Sequence, residues 1–177
     1  MNYLKFNEKL LKHHLKNKKR ITLSLIVTFL ITGGLGFVEE EALARDLRPR
    51  NEKNNIKFDE SSGIKKGHAA NNKDVINIVA PEKNGISHNK FIEFNVGEEG
   101  VIFNNNSTKP YVDTKLGGIV EKNTNLNGKE ATAILNEVSG KNKSYLDGPV
   151  EIAGQKADFI LANENGITVN GGGFINT

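Results

Sequence analysis

From Asp74 onward the chain is cut into short apolar runs, each closed by Asn or Gly, and this spacing limits the fold more than any other feature. The runs occupy residues 75–80, 91–96, 101–103, 133–138, 150–153, 157–162, 167–169 and 173–175. Three to six residues is strand length, too short for a helix to bury a face, and several runs alternate apolar with polar. The body is therefore expected to be all-β. Residues 71–177 hold 18 Asn, and 13 glycines lie from Gly85 onward, repeatedly where a run stops. Both residue types tolerate left-handed backbone, so a sharp corner can follow each strand. Asn84-Gly85, Asn127-Gly128 and Asn165-Gly166 carry the two-residue hairpin signal, which favours some antiparallel pairing. Short strands with corners between them equally suit a solenoid, where Asn side chains can stack in hydrogen-bonded ladders from rung to rung. An immunoglobulin-like sandwich is the rival architecture, since evenly spaced strands serve both.

The sequence pI near 9.0 invites a nucleic-acid reading, so the position of the charge matters. Residues 1–44 carry seven cations and four anions, which leaves 17 of each in the rest of the chain. Residues 1–20 are basic and polar, residues 21–38 are uncharged and largely apolar, and Ala42 and Ala44 stand where a signal peptidase reads an A-x-A site. This describes an export signal over residues 1–44, cut after Ala44 and before Arg45. The apolar stretch approaches the length that spans a bilayer, so a retained anchor is the alternative, but Gly33, Gly34 and Gly36 weaken a helix near its end. Residues 45–73 hold eight cations, four anions and few large apolar residues, and are expected to be a flexible basic linker. Phe58 is the one aromatic residue there, with no interleaved set for base stacking, so no nucleic-acid partner is expected.

Chemistry is sparse. The chain has no cysteine, which removes disulfides, thiolate metal sites and a cysteine nucleophile. His88 follows Ser87, but adjacent strand residues point to opposite faces, so the two make no dyad. No phosphate-binding glycine loop and no nucleophile elbow occurs. The run Gly171-Gly172-Gly173 begins like a calcium-binding repeat but lacks the aspartate, so neither a metal nor another cofactor is expected. Carboxylates are plentiful (Glu98, Glu99, Asp113, Glu137, Asp147, Asp158), and a glycosidase needs only two at the proper separation. A small exported β-helical protein that binds or cleaves polysaccharide is therefore the alternative function.

Residues 157–177, ADFILANENGITVNGGGFINT, are specific. They resemble the signature A-D-x-I-x-A-N-P-N-G-I-x-x-x-G-x-x-F-I-N-T of the secretion domain of the filamentous haemagglutinin and haemolysin family, exported by two-partner secretion. Residues 75–81 (VINIVAP), 100–105 (GVIFNN), 123–126 (NTNL, against N-x-N-L) and 133–138 (AILNEV), followed by 146–148 (LDG) and 150–154, match further segments in order. The resemblance implies a right-handed parallel β-helix over residues 74–177, with some antiparallel strands near its start. It implies a domain that crosses the periplasm unfolded, is recognised by the periplasmic domains of a cognate outer-membrane transporter, and folds outside to template further coils. Inner-membrane export machinery and the signal peptidase precede that step. No catalytic residue and no small-molecule substrate are implied. A host or neighbouring-cell surface would be met by a passenger beyond this module, of adhesin, haemolysin or contact-dependent toxin type.

The family's two Asn motifs map onto Asn123, Thr124, Asn125 and Leu126, and onto Asn163, Glu164, Asn165, Gly166 and Ile167. They are expected to make tight turns, to contact the transporter, or both. Glu164 departs from the family's proline and removes a fixed φ, so this corner is expected to be less preorganised. Family secretion domains run some tens of residues beyond the F-I-N-T segment, so the chain is expected to be a carboxy-terminally incomplete domain.

Overall fold

A computed structural model describes residues 48–177. The expected signal sequence, with Ala42, Ala44 and Arg45, lies outside the described residues. Of the thirteen strands among the described residues, nine coil into a solenoid of parallel rungs. The first rung consists of β3 (Asp74–Asn77) and β4 (Ile86–Asn95). The second holds β5 (Val101–Asn105), β8 (Ala133–Val138) and β9 (Ser144–Leu146). The third holds β10 (Val150–Gly154), β11 (Asp158–Asn163) and β12 (Ile167–Val169), and β13 (Phe174–Ile175) begins a fourth. Equivalent strands stack in parallel: β3, β5, β10 and β13 on one face, β4, β8 and β11 on a second, β9 and β12 on a third. The sandwich is thereby set aside, since a sandwich pairs its strands antiparallel.

Alternation along each strand decides what the coil encloses. Phe103, Ile152, Ile134, Phe91, Phe94 and Leu146 point inward and are 0–2% exposed. An aromatic run passes along the interior from Phe58 through Phe91, Phe94, Phe103 and Phe159 to Phe174, with ring centroids 5.0–5.9 Å apart. Offset and edge contacts of this kind add to the burial of the rings themselves. On the outer side of one face, Asn104 Nδ2 donates to Asn77 Oδ1 of the preceding rung at 2.8 Å, a one-step ladder of the kind the Asn content suggests, and to Glu121 O at 2.8 Å.

Of the stretch 45–73, the described residues 48–73 are not the flexible linker that their composition suggests. β1 (Asn55–Phe58) pairs antiparallel with the end of β4, and β2 (Lys65–His68) pairs antiparallel with β3. A 3₁₀ turn at Glu60–Ser62 joins them, and Asp59 N bonds Lys90 O at 3.0 Å. The segment covers the first rung. Its low hydrophobicity has a physical reason: an end strand needs apolar residues on one side only, and exposed Lys57, Lys65 and Lys66 deter further pairing.

The antiparallel pairing is real, but none of the three Asn-Gly pairs closes a hairpin. Gly85 (φ 83°), Asn127 (φ 50°), Gly128 (φ 86°) and Gly166 (φ 102°) are instead corners within rungs, where the chain passes from one face of the coil to the next. The antiparallel pairs of consecutive strands are β2 with β3 and β6 (Tyr111–Thr114) with β7 (Gly118–Glu121); the β6–β7 hairpin leaves the coil after β5 and lies on the outer side of the β3-β5-β10 face. Beneath it Val75, Ile102, Val120 and Ala153 form a second small core with Val112 and Leu116.

Candidate functional site: the two asparagine corners

The segments 123–126 and 163–167 fall at corners after β7 and β11, and their geometry repeats. Asn123 Oδ1 accepts from Asn125 N at 3.0 Å, and Leu126 N bonds Asn123 O. Asn163 Oδ1 accepts from Asn165 N at 2.9 Å, and Gly166 N bonds Asn163 O at 3.1 Å. Each first asparagine thus folds its side chain over its own turn, standing in for a backbone group. Its amide nitrogen then reaches outside the turn. Asn123 Nδ2 donates to Ile78 O and Asn104 O, both at 2.9 Å, and Asn163 Nδ2 donates to Asn142 O and Ser144 Oγ, both at 2.9 Å. The second asparagine repeats the reach: Asn125 Nδ2 to Asn77 O at 3.2 Å, Asn165 Nδ2 to Gly140 O at 2.8 Å. Each motif therefore closes one rung and pins it to the one before.

Burial separates the two. Asn123 and Leu126 are 1% and 0% exposed, whereas Asn163, Asn165 and Gly166 are half-buried and Ile167 is 42% exposed. Thr124 and Glu164 occupy the same position in the two turns and both face solvent. Glu164, at the position of the signature's proline, is exposed in a turn held by the Asn163 side chain.

The other sequence candidates are dispersed. Ser87 is buried and donates to Val79 O, while His88 faces outward with Nε2 2.7 Å from Glu137 Oε2, so strand alternation separates them. A polar groove of about 850 Å³ between β6 and the β10–β13 edge is lined by Asp113, Glu130 and Glu151. Glu130 Oε1 accepts the backbone amides of Ser107 and Thr108, both at 3.1 Å. Burial alone would raise the Glu130 pKa, yet these amides hold it below the ordinary glutamate value. Glu151 likewise accepts Lys115 N and Leu116 N, both at 2.7 Å. Glu130 and Glu151 are thus engaged as braces of backbone amides. Among the described residues no group of His, Cys, Asp and Glu is arranged to hold a metal.

Sequence reasoning passed over Asn105 and Asp147 as braces. Asn105 is fully buried; it donates to Ala131 O and Gln155 O at 2.9 Å and accepts Ala131 N at 2.8 Å. Asp147 is clasped by Arg48. Only the triple Asn104-Asn105-Asn106 hinted at the first, and nothing local marks the second.

The comparisons agree with this geometry. The solved structure described as the filamentous hemagglutinin secretion domain superposes with a TM-score of 0.62 at 40% identity, over 69% of this chain and 39% of that one. The 16S rRNA endonuclease CdiA of Enterobacter cloacae is 53% identical over 110 residues, 62% of this chain and 3% of its own length. A hemolysin of Proteus mirabilis is 50% identical over 103 residues, 58% of this chain and 6% of its own. A hemolysin of Serratia marcescens is 48% identical over 109 residues, 62% of this chain and 7% of its own. The chain thus spans under a tenth of the length of these curated relatives. The family model of the TPS secretion domain matches residues 54–177, and the chain belongs to that family.

Proposed function

We propose that this module is the address and the first coils of a two-partner exoprotein. Residues 1–44 direct it through the inner-membrane export machinery and are removed by signal peptidase after Ala44. A cognate outer-membrane transporter then recognises the unfolded module through its periplasmic domains, and the coil assembles outside the cell, secreted or displayed at the surface. The nuclease and hemolysin activities in the relatives' names belong to those long proteins; this module contributes export and no catalysis. One observation carries the reading: the residues matched by the secretion-domain family begin at the strands that close the first rung. A solenoid grows by nearest-neighbour stacking, so a covered first rung sets the point from which later rungs add. Folding outside then favours outward movement without ATP, and the lack of cysteine leaves no disulfide to obstruct passage.

The test is co-expression of the chain, fused to a reporter, with a cognate transporter, and measurement of reporter in the medium. Export should depend on the transporter and fall when Asn125 and Asn165 are both replaced. Equal release with and without the transporter overturns the reading; undiminished release of the double variant removes the motifs from recognition.

A further inference from the structure

Two carboxylates outside the Asn motifs lie four residues apart, at the corner where the second rung becomes the third. Asp147, its side chain fully buried, accepts Arg48 Nη1 at 2.8 Å, Arg48 Nη2 at 2.7 Å and the backbone amide of Asn51 at 2.9 Å. The Arg48 guanidinium also stacks 3.7 Å over the ring of Tyr145. Glu151, 4% exposed, accepts the amides of Lys115 and Leu116 at the tip of the β6–β7 hairpin. The corner between them is tight: a Cβ on Gly148 would stand 2.0 Å from the carbonyl oxygen of Gly97, so this segment is in place only when the second rung is seated on the first.

The two carboxylates grip the two parts of the molecule outside the coil. The arm before β1 is held at its outer end by a residue 99 positions later, and the hairpin tip by one 35–36 positions later. Bonds closer in sequence also hold both: Glu98 N to Asn51 O on the arm, Ala70 N to Ile119 O on the hairpin, and Asn71 N to Gly117 O with Asn71 Nδ2 to Leu116 O at its tip. Only Asp147 takes the Asn51 amide, and only Glu151 takes those of Lys115 and Leu116. Glu151 also stands in a column whose other members, Val75, Ile102 and Ile175, are aliphatic. A buried anion is costly there unless it satisfies donors that an aliphatic side chain would leave unpaired.

We propose that Asp147 and Glu151 form a closing latch on the module. The amides of Asn51, Lys115 and Leu116 gain their acceptors only when residues 147–151 have joined the coil, so the last braces on the arm and the hairpin tip close as the third rung begins and resist withdrawal afterwards. The use of such a latch in export rests on the function proposed above; the latch itself does not. The test is refolding of the 177-residue chain from urea, without transporter, with pulsed hydrogen exchange. The amides of Asn51, Lys115 and Leu116 should gain protection together, after those of β4 and β8. At equilibrium Glu151→Gln should lower protection at Lys115 and Leu116 about tenfold or more and spare Asn51, and Asp147→Asn should do the reverse. Protection of these amides in step with β4 and β8, or unchanged in the variants, overturns the latch. Timing in the unmodified chain decides the matter if a variant does not fold. Failure here leaves transporter-dependent export intact, and failed export leaves the latch intact.

Discussion

At the amino-terminal end of the coil, β1, β2 and the turn between them lie across the first rung, and inward-facing Phe91, Phe94 and Ile76 are 0–2% exposed. At the other end the inward-facing residues of the last strands stand open: Ile167 is 42% exposed, Val169 55% and Phe174 50%. The register is the same at both ends, since Val169 stacks on Leu146 and Phe174 on Val150. What differs is only whether a further strand lies beyond. The rims differ accordingly, lysine-bearing on β1 and β2, apolar on β12 and β13. Burial in a solenoid is a property of the neighbouring rung as much as of the residue, so equal side chains have unequal value along the coil.

That contrast can be broken most forcefully in the aromatic run. Phe91→Ala should cost about 3–5 kcal/mol in urea unfolding, whereas Phe174→Ala should cost less than about 1 kcal/mol, because half of its surface is already wet. Similar losses at both positions would mean that the open end is covered in solution. Next in size, Asp147→Ala should cost about 3 kcal/mol, the usual consequence of removing one partner of a buried ion pair. Asn123→Ala should cost about 2 kcal/mol and Asn163→Ala about 1 kcal/mol, since the same bonds are buried in the first corner and half-wet in the second.

Acid should loosen the closed end. Burial alone would raise the Asp147 pKa, but Arg48 and the Asn51 amide outweigh it and hold the value below the ordinary one for aspartate. A depressed carboxyl pKa contributes stability that is present above the unfolded value and lost as pH falls through the folded one. Exchange at the Asn51 amide should therefore quicken, relative to the β8 amides, only below about pH 4. The smallest effect tests the departure at position 164: Glu164→Pro should stabilise by about 0.5 kcal/mol in thermal unfolding, by restricting the unfolded chain.

Each of the apolar runs that begin at residues 75, 91, 101, 133, 150, 157, 167 and 173 became a strand of the coil, and the turn residues between them became its corners. These were legible because a strand buried on its inner side needs apolar residues at alternate positions. β1 and β2 escaped notice because end strands bury little, and β6 and β7 because each turns only one valine, Val112 or Val120, toward the sheet. The Asn motifs were legible as turns through resemblance, but their reach to the preceding rung was not, since Asn123 and Ile78 are 45 positions apart. Asp147 was counted only as one carboxylate among several, and its partner lies 99 positions away in the stretch read as linker.

The stacking of Arg48 on Tyr145 gives the molecule an optical handle. The chain has no tryptophan and three tyrosines, of which Tyr3 lies in the leader. Tyr145 sits under a cation at the latch, and Tyr111 is 60% exposed on the hairpin. In a chain that begins at Arg45, tyrosine emission thus comes from one ring under a cation and one wet ring, with no indole to mask them. Replacing Tyr111 with Phe would leave a single chromophore whose signal reports the seating of the arm without any added label.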